Sequence, residues 1–297
     1  MRIAITGGTG FLGTALVDRL RGDGHTVKVL TRNATGADDV RWSPEAPLRE
    51  WTATLDETDA VIHLAGASIA GGRWTAQRKA LIRDSRVRST RALATAILEA
   101  RCPPSVFVSG SAIGIYGPHG DEPLTEDSPE GSDFLAGVCV EWEREALAAS
   151  PVTRVVLLRT GLVLDTSGGA LPQIALAFRL FAGGPLGSGR QYMSWIHRED
   201  WVEMVRWALT KPTVSGPLNA TAPHPVTNRE FAKTLGRVLR RPAFVPTPAF
   251  ALRLALGEMA NALLLGGQRV LPAKAQSLGS TFRYPLLEPA LRALFTT

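Results

Sequence analysis

The chain has 297 residues, 45% of them hydrophobic and 20% charged, with a formal net charge of +6 from 33 basic against 27 acidic side chains. That balance suits an ordinary folded protein with a full core; no apolar run is long enough to span a bilayer, and the N-terminus reads as a strand rather than a signal peptide. Two cysteines, Cys102 and Cys139, offer neither a disulfide framework nor metal-ligand spacing, so a reducing cytoplasm is the expected compartment.

The first predicted element is a strand at residues 2–6, whose Ile3, Ala4 and Ile5 run into Thr6-Gly-Gly-Thr-Gly-Phe-Leu-Gly13. An amphipathic run over residues 11–20 leaves this turn. A glycine turn between a strand and a helix is a far stronger phosphate-binding signal than the glycines alone. Gly7 supplies the tight turn, Gly10 admits a pyrophosphate close to the backbone, and Gly13 lets the helix pack near the strand. Free amides at the helix start complete an anion site.

A second strand is expected at residues 26–30, after a helix closed by Gly22-Asp-Gly24, and a short third at 40–42. Residues 59–64 form a buried strand ending at Ala65-Gly66, and a long helix follows from 75 to about 100, where Pro103-Pro104 stop the chain. Further buried strands are read at 105–109 and 154–160, on either side of a helix at 133–149. Apolar strands without alternation, separated by helices, imply a parallel sheet covered on both faces. The expected fold is therefore α/β, a Rossmann-type doubly wound sheet.

The second half differs. Helices near 171–182, 198–210 and 228–240 are joined by Gly/Pro-rich segments such as 183–189. Residues 249–265 read as a core helix, and Phe282-Arg-Tyr-Pro285 forms a short element near the end. The division expected is a dinucleotide-binding domain at 1–165, to which 190–220 returns, and a smaller, mostly helical substrate lobe from 166–189 and 221–297, with a helical C-terminal domain from about 245.

After the second strand of such a fold, a carboxylate ordinarily accepts the ribose hydroxyls of NAD. Here the strand ends Leu30-Thr31-Arg32-Asn33, with no acid before Asp38. An arginine in this place can pair with a 2′-phosphate, which favours NADP (NADPH) as cofactor; a solvated surface arginine is the competing explanation. The remaining basic excess is scattered and not interleaved with aromatics, so it argues for an anionic small molecule rather than nucleic acid. The five histidines are dispersed and no Cys-x-x-Cys occurs, so no metal site is expected.

Thr6–Gly13, His63-Leu-Ala-Gly66, Ser109-Gly-Ser-Ala-Ile-Gly-Ile-Tyr-Gly117 and Trp195-Ile-His-Arg-Glu-Asp200 stand in the order seen in extended short-chain dehydrogenases/reductases. With Arg73-Trp74, Ser85-Arg86, Trp142-Glu143, the run 183–197 and Phe282–Pro285, the whole chain resembles the atypical "epimerase family" branch, which is sugar-nucleotide epimerase-like and carries a C-terminal domain of unknown function. The resemblance implies that Gly7, Gly10, Phe11, Leu12 and Gly13 cradle the pyrophosphate. Thr31 and Arg32 would reach the adenosine phosphate, and Leu64, Ala65 and Gly66 would line the dinucleotide. Arg86 stands where extended members carry an Asn and would touch cofactor phosphate or ribose, and Leu162 would pack near the nicotinamide.

The departure is at the catalytic dyad. Redox-active members use Tyr-x-x-x-Lys, with the tyrosine as acid/base and the lysine lowering its pKa. Aligned on Glu143, the tyrosine position holds Leu135 and the lysine position Cys139. The substitute candidates are Ser109 and Ser111, whose hydroxyls could polarise a carbonyl, Tyr116 on the following loop, Glu143, and His197 just before a helix that Asp200 is placed to cap. Each has a plain structural alternative: strand capping for the serines, aromatic lining for Tyr116, an ion-paired helix carboxylate for Glu143 and a loop hydrogen bond for His197. Two functions stay open: an NADP-dependent oxidoreductase or epimerase acting on a small anionic or nucleotide-linked substrate, and a non-catalytic NADP(H)-binding sensor or scaffold. Neither nucleic acid nor a membrane is an expected partner, and a homodimer is compatible with the chain.

Overall fold

The computed structural model describes residues 1–45 and 51–295. Its first half alternates strands and helices: β1 (Arg2–Thr6), α1 (Phe11–Gly22), β2 (Thr26–Thr31), β3 (Asp39–Arg41), α2 (Ala53–Asp56), β4 (Ala60–His63), α3 (Ala76–Glu99), β5 (Val106–Ala112), a 3-10 turn (Ile113–Tyr116), β6 (Pro123–Leu124), α4 (Phe134–Leu147), β7 (Arg154–Thr160) and β8 (Leu162–Leu164). The second half holds α5 (Leu171–Arg179), β9 (Tyr192–Met193), β10 (Trp195–His197), α6 (Arg198–Thr210), β11 (Gly216–Ala220), β12 (Val226–Thr227) and α7 (Asn228–Leu239). Then come α8 (Ala249–Leu256), α9 (Glu258–Ala260), β13 (Arg269–Val270), α10 (Ala273–Ser277) and α11 (Leu287–Phe295).

Seven parallel strands form one sheet in the order β11-β7-β5-β4-β1-β2-β3. The order reverses between β1 and β4, and in a doubly wound sheet the crevice at such a reversal, beyond the carboxyl ends of the strands, is where ligands bind. The strands are apolar on both faces because helices cover both. Ile3, Ile5, Val106 and Val108 pack under α1 and α6, while Ala4, Val61 and Phe107 pack under α3 and α4. β11 was not foreseen as a sheet strand. Its sequence, Gly-Pro-Leu-Asn-Ala, has little strand character, and it joins only because β7 offers an open edge.

Local chemistry sets the helix ends. Thr75 caps α3 by accepting from the Arg78 amide, and Asp133 caps α4 by accepting from Ala136. α6 begins differently from the sequence expectation. His197, not Asp200, occupies the cap, its Nδ1 accepting from the Glu199 amide at 3.1 Å. Asp200 instead accepts from the amides of Arg283 (2.7 Å) and Tyr284 (2.9 Å), tying the Phe282–Pro285 segment to α6. A cap needs only one acceptor, and the histidine ring at the first position takes that place.

The stretch 249–265 also corrects the expectation of a core helix. α8 buries none of its residues, with Phe250 72% and Leu254 78% exposed, and only Met259 and Ala260 of the following turn are buried. Hydropathy alone could not tell a buried helix from one lying on the surface. Among the described residues no helix is long and apolar enough to cross a membrane.

Candidate functional site

Gly7 adopts φ +72°, and a Cβ there would stand 2.7 Å from the Leu64 carbonyl carbon. The turn therefore presses directly on the end of β4. Gly10 caps α1 with no side-chain oxygen in the capping place, which leaves the first helical amides for an anion. A Cβ on Gly13 would lie 2.0 Å from the Gly7 oxygen, so the close packing at this position is between helix and turn. These three glycines form a cradle that any side chain would fill, and its size and free donors fit a pyrophosphate.

The cradle opens into a cleft of about 600 Å³ along the carboxyl ends of β1, β2 and β4. Of the sequence candidates, Gly7, Gly10, Thr31, Arg32, Leu64, Ala65 and Gly66 all line it. Trp42 and Pro44 after β3, and Ser85 and Ser89 on α3, line it too and were missed. Trp42 follows directly on β3, and a local run does not show which way its ring turns. Phe11 faces a separate hollow of about 340 Å³ with Ser167 and Arg198, its ring against Gly168 and under the Arg198 guanidinium. Leu12 packs on the main core, and Leu162 pairs with Trp195 away from the cleft lining. Arg86 lies behind Gly66, 3.1 Å from where a Cβ on that glycine would be.

His63 sits beneath the cleft, fully buried, with Nδ1 bonded to the Thr6 hydroxyl and Nε2 3.0 Å from the Ser89 hydroxyl. Burial, reinforced by the nearby Arg86 charge, pushes its pKa down to about 3. The imidazole is therefore neutral in the folded chain, while in the unfolded chain it binds a proton below about pH 6.5. Between those two values the unfolded state holds the extra proton, so stability falls as pH falls. Chemical denaturation at pH 5 is expected to show about 2 kcal/mol less stability than at pH 7 from this group. A His63→Gln variant whose stability keeps the same pH slope would show that another group is responsible.

Three of the five catalytic candidates, Ser111, Tyr116 and Glu143, gather in a second place, beside the cleft and inside the protein. Ser111 on β5, Arg159 on β7 and Asn219 on β11 are lateral partners in one row of the sheet. Ser111 Oγ donates to Glu143 Oε1 at 2.6 Å, and Arg159 grips both Glu143 oxygens at 2.8 Å each. Arg159 also donates to the Tyr116 hydroxyl at 2.9 Å, which donates onward to Asn219 at 2.7 Å. Glu126 closes the network by accepting from the Asn219 and Lys274 amides.

Burial pulls the Arg159 pKa down, but the Glu143 bonds and charge more than reverse it, and the guanidinium stays charged. Burial raises the Tyr116 pKa, so its phenol stays protonated. Glu143 accepts three hydrogen bonds and Tyr116 makes two, all within the protein. Ser109 is buried, its hydroxyl donating to the Gly110 carbonyl. His197 is also buried; its Nε2 has no partner among the described residues, and its ring lies 4.0 Å from that of Tyr284. Arg159 and Asn219 were missed as site residues, although a charged side chain inside the apolar run Arg-Val-Val-Leu-Leu-Arg-Thr is a signal in itself.

Comparison with known proteins identifies the family and the fold. The NAD dependent epimerase/dehydratase family matches residues 3–220, and a domain of unknown function (DUF1731) matches residues 247–294. The chain is 43% identical over 302 residues to the chloroplastic epimerase family protein SDR39U1 homolog of Arabidopsis thaliana, covering 99% of this chain and 86% of the relative. It is 43% identical over 303 residues to the epimerase family protein YfhF of Bacillus subtilis, covering 99% and 98%. The crystal structure of human epimerase family protein SDR39U1 (isoform 2) with NADPH superposes with a TM-score of 0.93 at 36% identity, over 100% of both chains. With its glycine cradle at the strand-order reversal and its matching C-terminal region, the chain belongs to the NAD dependent epimerase/dehydratase family.

Proposed function

We propose that this chain binds NADP(H) in the cleft and acts on a small polar, anionic or nucleotide-linked substrate as an oxidoreductase or epimerase. The observation that carries the cofactor assignment is Arg32, placed on the cleft wall at the end of β2 where an NAD site would hold an acid. The crystal structure of the human relative is one with NADPH, which supports the same choice. Bound NADP(H) would supply two-electron reducing or oxidising equivalents. The free amides at the start of α1, from Phe11 on, would hold its pyrophosphate in the cradle that Gly7, Gly10 and Gly13 leave open, and Arg32 its 2′-phosphate.

Ser111 is the hydroxyl we assign to the substrate. Because its proton is committed to Glu143, its oxygen is left to accept a hydrogen bond, which suits a substrate alcohol better than a carbonyl. Glu143, clamped by Arg159, orients that hydroxyl. Tyr116 and Asn219 act on the Arg159 side of the network and hold it in place.

The second reading, a non-catalytic NADP(H)-binding sensor or scaffold, is favoured by one observation: Tyr116 and Glu143 are hydrogen-bonded to buried protein groups, and Leu135 and Cys139 cannot exchange protons in their stead. Stereospecific exchange of the nicotinamide hydrogen with a panel of sugars, quinones and aldehydes decides for the enzyme. Tight NADPH binding without exchange across the panel decides for the sensor. Arg32→Asp is expected to weaken NADPH about thirtyfold by calorimetry, the scale of a lost charged hydrogen bond, without weakening NADH. Equal losses for both would remove Arg32 from the 2′-phosphate.

A further inference from the structure

Helix α3 presents several arginines toward α4, and their partners differ. Arg83 pairs with Glu141 and Arg91 with Glu145. Arg86, on the side facing the cleft, has no carboxylate within ion-pair distance among the described residues. Its Nη1 donates to the carbonyls of Ala67 (3.1 Å) and Ile82 (3.0 Å), and its guanidinium lies over the Trp142 ring, 5.4 Å from the centroid. The ionisable group that faces it from α4 is the buried Cys139 thiol. Burial, and secondarily Glu143, push that thiol up to about 12, so it offers no counter-charge. A half-buried guanidinium held by two neutral carbonyls and a ring keeps its full charge unneutralised.

That charge faces one end of the cleft. Gly66 lines the cleft, and a Cβ there would come within 3.3 Å of Arg86 Nη2. Gly66, which has no side chain, lies between the guanidinium and the cleft. Arg32 marks the other end, beyond β2. A dinucleotide laid over the β1–β4 reversal with its adenosine toward β2 has its redox-active ring on the β4 and β5 side, the side of Arg86. The oxidised ring carries a formal positive charge and the reduced ring none.

We propose that Arg86 makes the cleft discriminate the oxidation state of its dinucleotide, holding NADPH more tightly than NADP⁺. This rests on the reading that the cleft takes NADP(H). Like charges within about 10 Å in a part-buried site shift an equilibrium by on the order of tenfold, and the reduced form escapes that repulsion.

The test is isothermal titration of the full chain and two variants with NADPH, NADP⁺ and adenosine 2′,5′-bisphosphate, which lacks the ring. Wild type is expected to bind NADPH about tenfold more tightly than NADP⁺. Arg86→Met should bring the two within about twofold and leave the bisphosphate unchanged, because only the ring-side charge is lost. Arg86→Gln, which keeps a donor for the Ala67 and Ile82 carbonyls, gives the same readout where Arg86→Met is too unstable to titrate. Equal affinity of wild type for NADPH and NADP⁺, or a variant that weakens both alike, overturns the proposal. Failure of wild type to bind even the bisphosphate overturns the cofactor reading itself, and the proposal with it.

Discussion

A Gly13→Ala chain is expected to lose NADPH binding by about a hundredfold or more, as for a wholly misplaced phosphate turn, and to lose about 1–3 kcal/mol of stability. The added Cβ would sit 2.0 Å from the Gly7 oxygen and 2.7 Å from the Gly8 Cα. Both are backbone atoms, so no rotamer change relieves the overlap and the turn itself has to move. Moving it displaces the amides that face the anion site. Gly22→Ala, at the end of the same helix with nothing within 4 Å of the new atom, provides the control. It should leave binding intact and raise stability by roughly 0.5 kcal/mol through lower backbone entropy in the unfolded state. Thermal melts and NADPH titration of the two variants separate the site from the helix. Near-wild-type affinity in Gly13→Ala would mean that the turn does not hold the phosphates.

The second large effect is expected at Arg159. Arg159→Met should cost about 3–5 kcal/mol, because it strands the Glu143 carboxylate in the interior without its partner. It also removes the donor to Tyr116 and to the Glu126 carbonyl. Adding Glu143→Gln to that variant should restore part of the loss, since a neutral amide is cheaper to bury than an unpaired charge. Urea denaturation of both single variants and the double variant gives the coupling directly. Additive losses would show that the two side chains do not depend on each other, contrary to their two 2.8 Å bonds.

The same network explains why the catalytic candidates could be named from the sequence without their relationship being visible there. Ser111, Tyr116 and Glu143 stand in recognisable motifs, and each is near the sheet end that the fold assigns to ligands. What joins them is Arg159, and its place opposite Ser111 and Asn219 depends on strand register between segments far apart in the chain. Register of parallel strands is set by packing of the whole sheet against its helices, not by any local run. For the same reason Trp42 and Ser89 were not recognised as cleft residues, whereas Arg32, one residue beyond a well-marked strand, was.

Local physics was enough for the elements with strong patterns. The glycine turn, the buried strands β1, β4 and β7, and the capped helices α3 and α4 follow from apolar runs, turn glycines and capping oxygens that need no distant partner. The Rossmann-type sheet and its strand–turn–helix cradle were therefore determined by the sequence itself. Tertiary structure alone decided which side chains share the interior of that frame: it recruited β11 to the sheet edge, left α8 on the surface, gave the α6 cap to His197, and set Arg86 behind Gly66 without a counter-charge among the described residues. Each of these outcomes turns on burial and on contacts between distant segments, quantities that exist only once the chain has folded.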